Sequence, residues 1–206
     1  MTLSVWLGFL LASILIAITP GPGAVISMST GMRHGYWAAL TAILGLQAAI
    51  LTHLLIVALG LGAVLAASET AFLVVKFLGA AYLVWLGIQK WRAPAVPVDA
   101  NAPAIRSKGL FLQGVFVNLT NPKAIIFIAA LVPQFVNPGL AQLPQYLVIA
   151  TTLCLTDLIV MSGYALAAAH LGRWLHDPTA MRLQNRIFGG LFVSAGALLA
   201  ASSRPS

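Results

Sequence analysis

The sequence predicts an all-α membrane protein: six transmembrane helices in two inverted three-helix repeats, with the first and fourth helices broken at proline motifs. Three observations predict it. The 206 residues are 60% hydrophobic and 7% charged, whereas soluble domains carry about 25% charged residues. Six apolar stretches approach the roughly 20 residues that a helix needs to cross the hydrocarbon. Two of them, about a hundred positions apart, are interrupted by proline at matching places.

The first span runs from about Leu3 to Met32 and is broken at Thr19-Pro20-Gly21-Pro22-Gly23. Proline lacks the N–H and glycine loses backbone entropy, so a helix cannot run through this stretch. The start of the chain has no basic n-region and more membrane follows, which predicts a retained span rather than a cleaved signal. The second span covers about Ala38 to Ala66 and the third about Ala71 to Ile88. Residues 1–92 thus form the first repeat, and the Pro94, Pro97 and Pro103 stretch at 93–107 forms a cytoplasmic linker. The second repeat is 108–206. Its first span, about Gly109 to Val136, is broken at Asn118-Leu119-Thr120-Asn121-Pro122-Lys123. Pro138 and Pro144 bracket a turn before the fifth span, about Gln145 to Leu171. Residues 172–186 mix arginines with Trp174, Leu175, Met181 and Leu183, the pattern of a helix lying on the membrane surface. The sixth span is about Ile187 to Ala201.

Eleven Lys and Arg against four carboxylates give a net charge of +7. With no sizeable soluble domain to build a basic groove, this excess reads as topology rather than nucleic-acid binding. Arg33, Lys90, Arg92, Arg106, Lys108, Arg173, Arg182 and Arg186 fall in three connections on one side, and only Arg204 falls on the other. Those connections are expected in the cytoplasm and both termini outside. Three spans before the linker then make the second half start on the opposite side from the first. The single Cys154 excludes an intramolecular disulfide and a dithiol relay.

A backbone break at membrane depth is tolerated only beside protein or a wet cavity. Paired broken helices in two halves point to a transporter's binding site. Thr19 and Asn121 each precede a proline, the signature of an N-cap followed by Pro at the first helical position. Each break then starts a new half-helix whose amides, carrying about half a positive charge, suit an anionic group such as a carboxylate. Lys123 and Asp157 sit near the centres of their spans, where a charge costs about 2.5–3.5 kcal/mol and usually pairs. Asp157 is the candidate for a substrate ammonium or a coupling proton, with Lys123 and the helix ends for a carboxylate. A salt bridge that only fixes packing is the plainer alternative, and a zwitterion that splits the pair unites both. His53 is a second proton-coupling candidate, though a hydrogen-bonded neutral ring is its simpler role. Gln47, Gln113 and Asn118 either line the cavity or bond between helices. Lys76 can snorkel outward. Gly79, Gly87, Gly189, Gly190 and Gly196 suit close helix packing or an oligomer contact.

Thr19-Pro20-Gly21-Pro22, Ala80-Ala81-Tyr82-Leu83-Val84-Trp85-Leu86-Gly87, Asn118-Leu119-Thr120-Asn121-Pro122-Lys123-Ala124 and Pro133-Gln134-Phe135 together resemble the LysE/RhtB amino-acid exporters along the whole chain. The resemblance implies a bacterial inner-membrane exporter of amino acids such as threonine, homoserine or lysine, driven by proton exchange. It places the family's proline motifs on Pro20, Gly21, Pro22, Asn121, Pro122 and Lys123. Gly23 stands where many homoserine/threonine-type members have asparagine, and the second span lacks the acidic residue that some members carry; both bear on substrate. Expected partners are an amino acid, protons and membrane lipid, with a second copy of the chain as a candidate. No cofactor or metal is expected, because a soft-metal site wants clustered thiolates or imidazoles and the spans hold only Cys154 and His53. That argues against the rival reading of a metal-cation exporter. An intramembrane enzyme lacks paired carboxylates, a zinc motif and a cysteine pair. A non-transporting scaffold remains the alternative from another class.

Overall fold

The computed structural model describes residues 1–61, 69–92, 109–137, 139–171 and 178–201. Among the described residues all regular structure is helical. The elements are α1 (Leu3–Ile18), α2 (Pro22–His34), α3 (Tyr36–Ile56, extended by a π-helical turn, Val57–Leu61), α4 (Glu69–Arg92), α5 (Leu110–Leu119), α6 (Pro122–Phe135), α7 (Gln142–Leu171) and α8 (Pro178–Ala201). α3 and α7 are each long and apolar enough to cross a membrane. So are α1 with α2 and α5 with α6 when each bent pair is taken as one span. The linker 93–107 and residues 172–177 lie outside the described residues. The rest of the expected surface segment, from Pro178, is the start of α8 and continues without a break into the sixth apolar stretch.

Both breaks fall where proline was expected, and the two halves meet at nearly equal bends, 55° for α1–α2 and 56° for α5–α6. One detail differs from the sequence expectation. Thr19 is not the N-cap of a helix beginning at Pro20; it closes α1, and Gly21 is the N-cap of α2, with Pro22 at its first position. The residue before a proline is driven out of the α region. Thr19 (φ −72°, ψ 117°) precedes Pro20 and Gly21 (φ −148°, ψ −168°) precedes Pro22, so both are extended and no helix can start earlier. At the second break the expectation holds: Asn121 is the N-cap, its Oδ1 accepting from the Lys123 amide at 3.1 Å. Between α2 and α3 the chain turns on Gly35 alone, at φ +78°, a conformation glycine adopts without Cβ strain.

α4 packs on α8, α3 on α5 and α7, and α2 on α3, α5 and α7. Glycines allow the closest crossings. A Cβ on Gly45 would lie 2.0 Å from the Phe111 carbonyl oxygen, and one on Gly114 2.0 Å from that of Ala42. Gly87 and Gly189 meet in the same way between α4 and α8, as does Gly196 against Ala80. The outer surface is apolar. Leu3, Leu7 and Leu11 repeat every four residues along an exposed face of α1, as Leu143 and Leu147 do on α7. Exposed apolar faces of this kind mark a protein or membrane interaction surface. Inside, one buried cluster gathers Phe9, Ile16, Ile50, Phe127, Ile128 and Leu153, and a second gathers Ala24, Ile43, Leu46, Met161 and Ala165. The space between these clusters is the candidate site.

Candidate functional site

A helix interrupted by proline leaves particular carbonyls without donors. The oxygen of residue i normally accepts from the amide of i+4, so Pro20 strands Ile16 O and Pro22 strands Ile18 O. Both are satisfied from the other half of the chain. Lys123 Nζ donates to Ile16 O at 2.9 Å and to Thr19 O at 2.8 Å. The Tyr164 hydroxyl of α7 donates to Ile18 O. A Cβ on Gly21 would lie 3.3 Å from both Cε and Nζ of Lys123, so glycine leaves room for the lysine stem. The second break closes locally: Asn118 O, stranded by Pro122, accepts from the Asn121 amide at 3.1 Å. The first break is thus held in trans by the second half.

Asp157 lies midway along α7, and its Oδ2 accepts from Gln47 Nε2 of α3 at 2.7 Å. Asn118 Nδ2 donates to Leu46 O at 3.0 Å, and Asn121 Nδ2 to Asn118 Oδ1 at 3.2 Å. These bonds tie the second break to α3 beside Gln47. Gly23, Ala24, Asn118, Asn121, Lys123 and Asp157 line one cavity, whose remaining walls are apolar side chains of α1, α3, α6 and α7. Its volume is about 40 Å3, room for about three waters and too little for an amino acid. Beside it, between α2 and α5, runs a wider groove of about 590 Å3, from Pro22 and Val117 to Arg33 and His34.

Of the residues singled out in the sequence, Gly23, Asn118, Asn121, Lys123 and Asp157 come together around the cavity. Thr19 is buried, its hydroxyl on the Leu15 carbonyl and its own carbonyl on Lys123. Gly21 lies against the Lys123 ammonium, and Pro22 lines the wider groove. Pro20 and Pro122 shape the breaks. His53 stands apart from the residues that line the cavity. Gln47 was only a weaker candidate from sequence, and Tyr164 was missed. The signal for Tyr164 was a hydroxyl in an apolar run, which must find a partner when buried. Among the described residues no three His, Cys, Asp or Glu side chains stand close enough to hold a metal ion.

Comparison with known proteins gives the following. Residues 14–203 match the family described as LysE type translocator. The chain is 46% identical over 204 residues, 98% of each chain, to the homoserine/homoserine lactone efflux protein of Salmonella typhimurium. It is 44% identical over 98% of its length to an uncharacterized membrane protein of Vibrio cholerae, 99% of which is covered. It is 29% identical to the leucine efflux protein of an Enterobacter species, over 94% of this chain and 93% of that one. No solved structure matches.

Proposed function

The chain belongs to the LysE type translocator family, and from that premise we propose that it exports a small, uncharged-side-chain amino acid or a close derivative across the bacterial cytoplasmic membrane. The observation that carries this is Asp157, held by Gln47 on a cavity between two broken helices. An acid at membrane depth is costly and marks a substrate or proton pathway. Homoserine and its lactone, named for the relative in Salmonella typhimurium, share an ammonium but not a carboxylate. Recognition common to both must therefore rest on the ammonium, and Asp157 is its counter-charge. When a carboxylate is present, the first-turn amides of α2 at Gly23 and Ala24 receive it, aided by the helix dipole. Ile16, Leu46, Ile50, Phe127 and Met161 provide apolar walls for the side chain.

The six-span inverted repeat supplies the mechanism. Its support is the pair of breaks with bends of 55° and 56° and the way α3 packs on α5 and α7 while α7 packs on α1 and α2. With Arg33 on the cytoplasmic side, the wide groove along α2 opens inward while the central cavity is contracted. Substrate entering from the groove separates α2 from α5, reaches Asp157 and leaves when the repeats rock the other way. Proton exchange at Asp157 couples the cycle: a proton from outside neutralises the carboxylate as the ammonium departs, and its release inside readies the site.

The test is efflux from vesicles preloaded with homoserine, homoserine lactone, threonine, leucine or lysine, with and without a proton gradient. The reading requires faster loss of homoserine or another neutral amino acid when the protein is present, and acceleration by an inward proton gradient. If no amino acid leaves faster, it is refuted.

A further inference from the structure

We propose that the Lys123 ammonium is a tethered cation occupying a monovalent-cation site, so that export proceeds without sodium or potassium. The inference rests on the transport reading above and adds the identity of the cation that holds the first break.

The site offers oxygen ligands of the kind a bound alkali cation uses. Two main-chain carbonyls, Ile16 O and Thr19 O, converge on one point, 2.9 and 2.8 Å from Lys123 Nζ. Ile16 O lacks its helical donor because residue 20 is proline. Both oxygens sit at the C-terminal end of α1, where the helix carries about half a negative charge. The carboxylate of Asp157 lines the same cavity. Half-helix C-terminal ends with unwound carbonyls are where many transporters with broken helices coordinate their coupling cation. Here that position is filled by a side chain from the other repeat, and Gly21 keeps the space beside the stem clear. A cation fixed by four carbons cannot be exchanged for one from solution, so no alkali-ion gradient enters the cycle. It also links the two breaks mechanically: the end of α1 and the start of α6 move together while the ammonium holds.

Proteoliposomes of the intact chain decide it. Wild-type efflux should run at the same rate in choline, sodium and potassium media; a rate that depends on sodium or potassium overturns the proposal. Lys123→Ala removes two charged hydrogen bonds and should lower efflux in choline about ten- to a hundredfold. Sodium or methylammonium, filling the vacated space, should restore a measurable part of it and raise the melting temperature of the variant but not of wild type. Lys123→Met, whose stem still fills the space, should be equally slow and gain nothing from either cation. If folded Lys123→Ala gains neither rate nor thermal stability from any small cation, or if Lys123→Met transports like wild type, the proposal fails. Should Lys123→Ala not fold, Lys123→Met and the wild-type ion dependence still decide. A wild type that exports no amino acid in any medium would refute the transport reading instead.

Discussion

The reciprocal glycine crossing of α3 and α5 permits a worked prediction. A Cβ on Gly45 would sit 2.0 Å from the Phe111 carbonyl oxygen. Real Cβ atoms essentially never approach another heavy atom within 3.0 Å, and the obstacle is backbone, which no side-chain rotation relieves. Gly45→Ala must therefore open the crossing by about 1 Å, an overpacking that costs about 1–3 kcal/mol. Gly114→Ala meets the Ala42 carbonyl at the same 2.0 Å and should cost the same. Because one separation of the helices relieves both clashes, the double variant should lose clearly less than the two single losses combined. The separation also stretches the 3.0 Å bond from Asn118 to the Leu46 carbonyl to about 4 Å, beyond hydrogen-bonding reach. That frees the second break from α3. Thermal unfolding of the purified protein measures the stabilities, and vesicle efflux measures the consequence for the site. Single variants as stable as wild type, or fully additive losses, would refute the crossing as described.

Three further outcomes follow from the site. Asp157→Asn should insert and fold but lose efflux and its response to a proton gradient; retained gradient-driven efflux would remove Asp157 from the coupling step. Gln47→Leu deletes a charged hydrogen bond, so the half-saturating substrate concentration should rise about ten- to a hundredfold, with a smaller change in maximal rate. Unchanged saturation would separate Gln47 from substrate. Asn121→Ala removes the cap of α6 and its bond to Asn118, for a loss of about 1 kcal/mol in unfolding experiments, whereas Asn121→Asp should retain most of the capping.

Much of the architecture could be read from local chemistry. Proline at 20, 22 and 122 fixes where helices stop, and apolar runs fix which helices are long and apolar enough to cross a membrane. The start of α2 was also readable, since both Thr19 and Gly21 precede prolines; counting only the first proline misplaced it. The sequence even identifies the stranded carbonyls, four residues before each proline. It does not say who satisfies them. Lys123 and Asp157 were expected to meet each other or substrate, but the ammonium donates to the main-chain oxygens of Ile16 and Thr19, which no residue pattern marks. Tyr164 escaped, and Gln47 ranked only as a weaker candidate, for a related reason: their partners lie 146 and 110 residues away and are set by how helices cross. Those crossings depend on Gly45 and Gly114, whose partners are again backbone.

The central claim, that substrate binds between the two breaks, is tested most directly by protection of a cysteine placed there. In a Cys154→Ser background, Ala124→Cys puts a thiol on the cavity wall and Ala141→Cys puts one on the exposed chain before α7. Homoserine should slow labelling of Ala124→Cys by a small thiol reagent, with the same half-saturation as export, and leave Ala141→Cys unaffected. Export that saturates while labelling of Ala124→Cys is unchanged would place the substrate elsewhere.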